Sequence, residues 1–211
     1  MSSQSDVEAV VHSIATTAVE REQEFGDLDA VVGDGDFGYS LARGFEKVLE
    51  EWDGYDRSDP GTFLTKVAVT ITSRIGGTSG PIWGTAFLRA GATIKGREEI
   101  TGEDVVAMLR AAVAGMMQRG NANLGDKTLL DALVPGTDAL ESAVQAGADA
   151  KTALAAVTRA TREAADATSS LQARRGRASY SGERSIGSPD AGAIAVAIIL
   201  EDLAGRWPGD A

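Results

Sequence analysis

The chain has 211 residues, 43% of them hydrophobic, with a formal net charge of −11, one histidine and no cysteine. That length suits one well-packed domain or two small ones, and the acidic balance excludes nucleic acid or an anionic membrane as the main partner, since both demand a basic surface. The missing cysteines exclude disulfides, thiolate metal sites and a cysteine nucleophile, no apolar run reaches the roughly 18 residues of a membrane-spanning helix, and the opening "MSSQSDVEAVV" lacks the basic start and apolar core of a signal peptide, so the expected location is cytoplasmic.

In chain order, Ser5 and Glu8 are read as a capping box for a first helix, with Val7, Val10, Val11, Ile14 and Ala18 on one face and Gly26 closing it. A second helix follows the acidic stretch "LDAVVGDGDFGYSLARGF" (28–45) and lines Leu41, Phe45, Val48, Leu49 and Trp52 along one stripe. Asp59-Pro60 starts a third, with Phe63, Val67 and Ile71 inward and Gly76-Gly77 at its end. A fourth runs from Ser79 to Ile94, and Thr101 caps a fifth with Val105, Met108, Leu109, Ala112 and Met116 as its apolar stripe. A sixth covers 127–146, with a kink expected at Pro135, and an alanine-rich seventh covers 150–170. The last, "AGAIAVAIILEDLAGRW", is apolar nearly all round at its start and is expected to be buried. The period of two that marks strands never persists. The fold class is therefore all-α: about eight helices in a single domain over residues 1–211, with short connections and largely antiparallel neighbours. Only 171–189 is long and without helical period; such loops are usually functional or disordered.

Asp29, Asp34 and Asp36 gather in the acidic turn among Gly33, Gly35 and Gly38. Hard oxygens at this spacing suit magnesium, and a helix beginning near Phe37 would add an anion-binding N-terminus beside it. The alternative is an acidic helix–turn–helix connection, for Asp and Gly are common in turns. An EF-hand does not fit, because counting from Asp34 puts Phe45 where the bidentate glutamate belongs. Nor does a protein kinase: the "DFG" triplet has no H-R-D loop or strand-borne lysine to accompany it.

Other glycine-rich turns offer related chemistry. "RIGGTSGPIWG" (74–84) is either a phosphate cradle at a helix start or a C-cap followed by an N-cap. In "RGNANLGDKTLLDALVP" (119–135), Lys127 either meets a phosphate or carboxylate or belongs to a capped surface turn. The 174–190 loop carries Arg174, Arg175, Arg177 and Arg184 against Glu183. Concentrated arginine suits polyphosphate and such a loop can act as a lid; a solvated surface loop is the plainer alternative. His12 falls off the apolar stripe, so a Ser-His-Asp or Cys-His nucleophile is excluded in practice. Carboxylates, backbone amides, hydroxyls and arginines are the parts that phosphoryl transfer uses.

Taken together, "LDAVVGDGDFG", "GGTSGPIWG", "GDKTLLDALVP" and "GRASYSGERSIGSPDAGA" resemble, in order and from about residue 28 to 197, the DhaL (Dak2-type) nucleotide-binding subunit of dihydroxyacetone kinases. The resemblance implies an antiparallel eight-helix barrel with ADP or ATP and two Mg2+ ions in a pocket at one end. It implies metal ligation by Asp29, Asp34 and Asp36, and phosphate contacts from Phe37, Gly38, Tyr39 and Ser40 and from Ser79 and Gly80. It places Gly120 and Leu129 against the adenosine, matches Asp190, Ala191 and Gly192 to the last nucleotide-contacting turn, and gives Arg177 a catalytic as well as a nucleotide-binding role. It further implies a partner of the DhaK type that holds the ketone, and as phosphate donor either free ATP or a phosphotransferase-system subunit of the DhaM type. Phe37 stands where many members have histidine, Ser188 and Ala191 depart from the family's last motif, and Ser181 replaces a leucine; these bear on donor and ketose, with erythrulose an alternative to dihydroxyacetone. Two readings of other classes are a non-catalytic ADP-binding sensor and a helical domain whose aspartate loop binds calcium.

Overall fold

The computed structural model describes residues 4–207. Among these the regular elements are nine α-helices: α1 (Gln4–Glu20), α2 (Glu22–Ala30), α3 (Phe37–Glu50), α4 (Pro60–Arg74), α5 (Ser79–Thr93), α6 (Gly102–Gly120), α7 (Leu130–Gln145), α8 (Ala150–Ala167) and α9 (Ala191–Arg206), with three short 3-10 segments. The expected all-α class is what the chain adopts. No helix of the described residues is long and apolar enough to cross a membrane.

The first expected helix is two. Ser5 lies inside α1 rather than capping it, and the chain breaks at Arg21, not at Gly26. Gly26 sits within α2 against the acidic turn; a Cβ there would stand 3.4 Å from the carbonyl oxygen of Gly35, an ordinary contact. The sixth helix begins three residues later than expected, at Leu130, with Pro135 inside it.

The chain forms two compact units, one from residues 4–22 and 39–121 and the other from 23–38 and 122–207. In the first, α4 packs on α5 and α5 on α6. Local chemistry sets the helix starts. The Asp59 carboxylate accepts from Thr62 N at 3.0 Å and from Thr62 Oγ1 at 2.6 Å, with Pro60 next in line. Thr101 and Asp104 form a reciprocal capping box, Asp104 N to Thr101 Oγ1 at 3.2 Å and Thr101 N to Asp104 Oδ2 at 3.0 Å. Phe45 is fully buried and meets Trp83 edge-on, ring centres 6.1 Å apart. Exposed His12 abuts Trp52, which also meets Tyr55 and Phe63, and the Arg57 guanidinium lies above the Trp52 and Phe63 rings. On α6, Val106, Ala112, Val113 and Met116 reach the core, while Val105, Met108 and Leu109 are half-buried.

The second unit packs α7 on α8 and α9 on both. Residues Ala193 through Ile199 are all buried, as the apolar run of α9 predicts. Arg162 of α8 grips Glu201 of α9 with both arms of its fork, Nε to Oε1 at 2.7 Å and Nη2 to Oε2 at 2.6 Å.

The α4–α5 packing depends on bare backbone at Gly61. A Cβ at that position would sit 2.5 Å from Gly91 O and 2.7 Å from Lys95 N. Glycine-to-alanine inside a helix ordinarily stabilises by up to about 1 kcal/mol. Here Gly61→Ala is expected to destabilise by about 1–3 kcal/mol instead, the range of overpacking, measured as a lower urea midpoint with unchanged slope.

Candidate metal and phosphate site

The second unit holds the acidic turn. Asp29 lies in the last turn of α2, and the chain then doubles back: Gly33 N donates to Asp29 O at 2.6 Å. Gly35 takes φ +76°, a region open to glycine and strained for other residues. That reversal brings Gly35 N and Phe37 N onto Asp29 Oδ2, at 2.9 and 3.4 Å. Phe37 packs its ring 6.2 Å from Phe25 of α2, which is fully buried, so the head of α3 is anchored behind the turn. One carboxylate oxygen each from Asp29, Asp34 and Asp36 then lies within 4.8 Å of the others. Three hard anionic oxygens in that space suit a small divalent cation.

A second segment meets this turn. The expected loop is ordered as a 3-10 stretch, Arg177–Ser185, kinked at Gly182. The Arg177 guanidinium bridges Asp34 and Asp36, the Nη2 contact with Asp36 Oδ2 being 3.3 Å. Ser181 Oγ donates to Val32 O at 2.9 Å, a second tie between loop and turn. The other arginines have separate positions. Arg175 Nε pairs with buried Asp126 at 2.9 Å, and the Arg174 backbone N–H donates to Asp126 O at 2.9 Å. Hydrogen bonds from Asn123 N and Arg175 hold the Asp126 carboxyl below the usual carboxylate range.

The Lys127 side chain does not belong to a surface turn; it is 2% exposed. Its ammonium donates to three carbonyls, Leu171 O at 3.0 Å, Ser188 O at 2.7 Å and Ser185 O. Burial pushes its pKa down, against the pull of Asp190. Its backbone is left-handed, with φ +61°. Neither Lys127 nor Ser181 was legible as part of this arrangement. The only clue to Lys127 was its place in "GDKT", beside a glycine and ahead of a helix.

The remaining expected residues distribute as follows. Gly38 is buried at the start of α3, Leu129 precedes α7, and Asp190 caps α9 by accepting from Ala193 N at 2.8 Å, with Ala191 and Gly192 its first two residues. A Cβ on Gly192 would come within 3.3 Å of Leu129 Cβ, so this turn and the head of α7 are in close approach. These belong to the second unit. Tyr39, Ser40, Ser79, Gly80 and Gly120 belong to the first. There Ser79 opens α5, a Cβ on Gly80 would collide with Ile75 O, and Gly120 ends α6 just before left-handed Asn121.

The DAK2 domain model matches residues 31–205. The chain belongs to the DAK2 domain family. It is 40% identical over 177 residues to the "PEP-dependent dihydroxyacetone kinase, ADP-binding subunit DhaL" of Escherichia coli, covering 84% of each chain. It is 35% identical over 202 residues to the L-erythrulose 1-kinase of Mycolicibacterium smegmatis, covering 94% of this chain and 35% of that one. Among solved structures it superimposes on the dihydroxyacetone kinase of C. freundii in complex with AMP-PNP and Mg2+, with a TM-score of 0.74 at 26% identity. That match covers 97% of this DAK2 chain and 34% of the C. freundii chain, so the chain spans about a third of that kinase.

Asp190 gives a pH signature. Burial pushes its carboxyl up from 3.8 to about 7, with Asp131 and Asp29 adding repulsion. A carboxyl raised on folding binds its proton more tightly in the folded state. Its contribution therefore erodes as pH rises from about 4 to about 7 and is flat above that. Asp59, Asp104, Asp126 and Asp149, held low by hydrogen bonds, act in the opposite sense and lose stability only as pH falls below about 4. Asp190→Asn keeps a capping acceptor and is expected to abolish the decline between pH 5 and 7.5. Melting temperature against pH, in chelator, checks this for both proteins, and a carbon-13 carboxyl titration locates the group near 7 in the wild type.

Proposed function

We propose that this chain is the ADP/ATP- and Mg2+-binding subunit of a small-ketose kinase, delivering a γ-phosphoryl group to a ketone held by a separate DhaK-type subunit. The observation that carries the reading is the convergence of Asp29, Asp34 and Asp36 within 4.8 Å, with an arginine from a distant segment lying on two of them. Family membership supports it, as does the match over 84% of both chains to a protein named an ADP-binding subunit.

The roles follow the chemistry of the residues. Asp29, Asp34 and Asp36 would hold the magnesium, taken as two ions; Asp29 is pre-oriented by the amides of Gly35 and Phe37. When bound, the metal neutralises polyphosphate charge. Phe37 and Gly38, the residues Asp190, Ala191 and Gly192, and Leu129 are assigned to the nucleotide from the second unit. Tyr39, Ser40, Ser79, Gly80 and Gly120 are assigned to it on the sequence resemblance. Arg177 exchanges its carboxylate partners for phosphoryl oxygens and stabilises charge as the ketose hydroxyl oxygen bonds to phosphorus, its proton passing to solvent, and the bridge to the β-phosphate breaks, leaving ADP on the chain. Arginine suits this because its fork stays charged and binds oxyanions bidentately.

Dihydroxyacetone is the first ketose to test. Erythrulose is the second, favoured by the similarity to an L-erythrulose 1-kinase over 94% of this chain. For the donor, a DhaM-type phosphotransferase-system subunit is favoured over exchange with free ATP, because the relative matched over 84% of both chains is named PEP-dependent. Cytoplasmic residence accords with such a role.

Calorimetry with Mg-ADP is the direct test. Asp34→Ala and Asp36→Ala should each weaken binding about 100-fold, roughly 2.7 kcal/mol. Absent binding, or binding unaffected by both changes, would sink the proposal. With a DhaK-type partner, Arg177→Ala should lower kcat about 100-fold, the loss typical of one charge-stabilising donor, while moving Mg-ADP affinity less than tenfold. Equal loss in both would make Arg177 a uniform binding contact.

A further inference from the structure

Lys127 is a charged side chain in an interior position, and nothing in the proposed chemistry uses it. An ammonium is costly to bury unless its donors are satisfied, and here three carbonyls satisfy them. Those carbonyls are not scattered. Leu171 begins the arginine loop; Ser185 and Ser188 end it. One side chain therefore fastens both ends of the segment that carries Arg177.

Neighbouring bonds close the same base. Ala173 N donates to Ser185 Oγ at 2.9 Å, and Ser185 Oγ donates to Gly182 O at 2.6 Å. Gly187 N reaches Ser169 O at 2.8 Å. Within the base sits a tip bounded by Gly176 (φ +62°) and Gly182 (φ +57°). The tip holds Arg177, on the acidic turn, and Tyr180, 89% exposed. So a rigid footing supports a short hinged arm. Left-handed backbone at a long side chain is uncommon and persists only where the surroundings over-determine it; at Lys127 they do.

Resting on the reading of Arg177 above, we infer that Lys127 is a positioning residue that holds the arginine loop in register with the acidic turn, acting on phosphoryl transfer only through Arg177.

The test uses the full chain with Lys127→Met, which keeps length and removes the donors, alone and combined with Arg177→Ala. Amide exchange in residues 172–188, measured without nucleotide, should rise about tenfold or more in Lys127→Met while α8 amides hold their protection. With a DhaK-type partner, dihydroxyacetone and a phosphorylated DhaM-type donor (Mg-ATP in a parallel arm), kcat should fall about tenfold with Mg-ADP affinity within about threefold. In the Arg177→Ala background the same change should cost less than about twofold in kcat, since coupled residues are non-additive. A loss of the same factor in both backgrounds, or unchanged exchange in 172–188, overturns the inference. If Lys127→Met does not fold, Ser185→Ala removes the hydroxyl joining Ala173 to Gly182 and is held to the same outcomes. If Arg177→Ala leaves turnover intact, the reading of Arg177 fails; amide exchange then decides separately whether Lys127 orders the loop.

Discussion

Three carboxylates with oxygens inside 4.8 Å of each other repel, and the fold must answer that repulsion. The answer comes in two parts. Backbone amides of Gly35 and Phe37 turn inward onto Asp29, which requires the left-handed glycine and anchors the first residue of α3. Arg177 supplies the positive charge for Asp34 and Asp36. The rest of the second unit can be read as support for these two contacts: α2 presents Asp29, Ser181 ties the loop to Val32, and the footing of the loop is closed beneath it. A charge cluster that is unfavourable alone is held together because its partners come from elements that are themselves fixed.

The basic loop is often the part of such a site described only by its total charge. Here its arginines are not equivalent. Arg175 completes a buried pair with Asp126, and the backbone of Arg174 is bonded to the same residue. Arg177 alone of the three lies on the acidic turn. Asp126 and Lys127 are sequence neighbours with opposite charges, and each holds the base of the loop from its own side. With Lys127 left-handed, the two side chains reach different partners: Asp126 accepts from Arg175 and Asn123, and Lys127 donates to three carbonyls.

Helix periodicity made most of the fold legible, because burial of one stripe is a local signal: Leu41, Phe45 and Val48, or Phe63, Val67 and Ile71, are in the core as their spacing predicts. Caps with a side-chain acceptor, Asp59 and Thr101, were legible for the same reason. Gly26 looks like a helix stop in sequence, but the chain breaks at Arg21 and Gly26 lies inside α2. What else was misread depended on distant atoms. Lys127 looks like a surface cation, but its partners lie 44 to 61 residues away. Asp29, Asp34 and Asp36 were legible as a cluster because they are close in sequence. That Arg177 faces two of them depends on a contact spanning more than 140 residues, which no periodicity carries; only the resemblance to a known family pointed to it.

Those separations also impose an order on assembly. Lys127 leaves the ribosome well before Leu171, Ser185 and Ser188, and until they arrive its ammonium has only water as partner. Burying it earlier would strand a charge in an apolar surround. The head of α7 thus cannot reach its final packing until the chain has been made at least to Ser188, close to the start of α9. The arginine loop and the core helix that follows it therefore reach their final packing together, late in synthesis, and the acidic turn meets Arg177 only then.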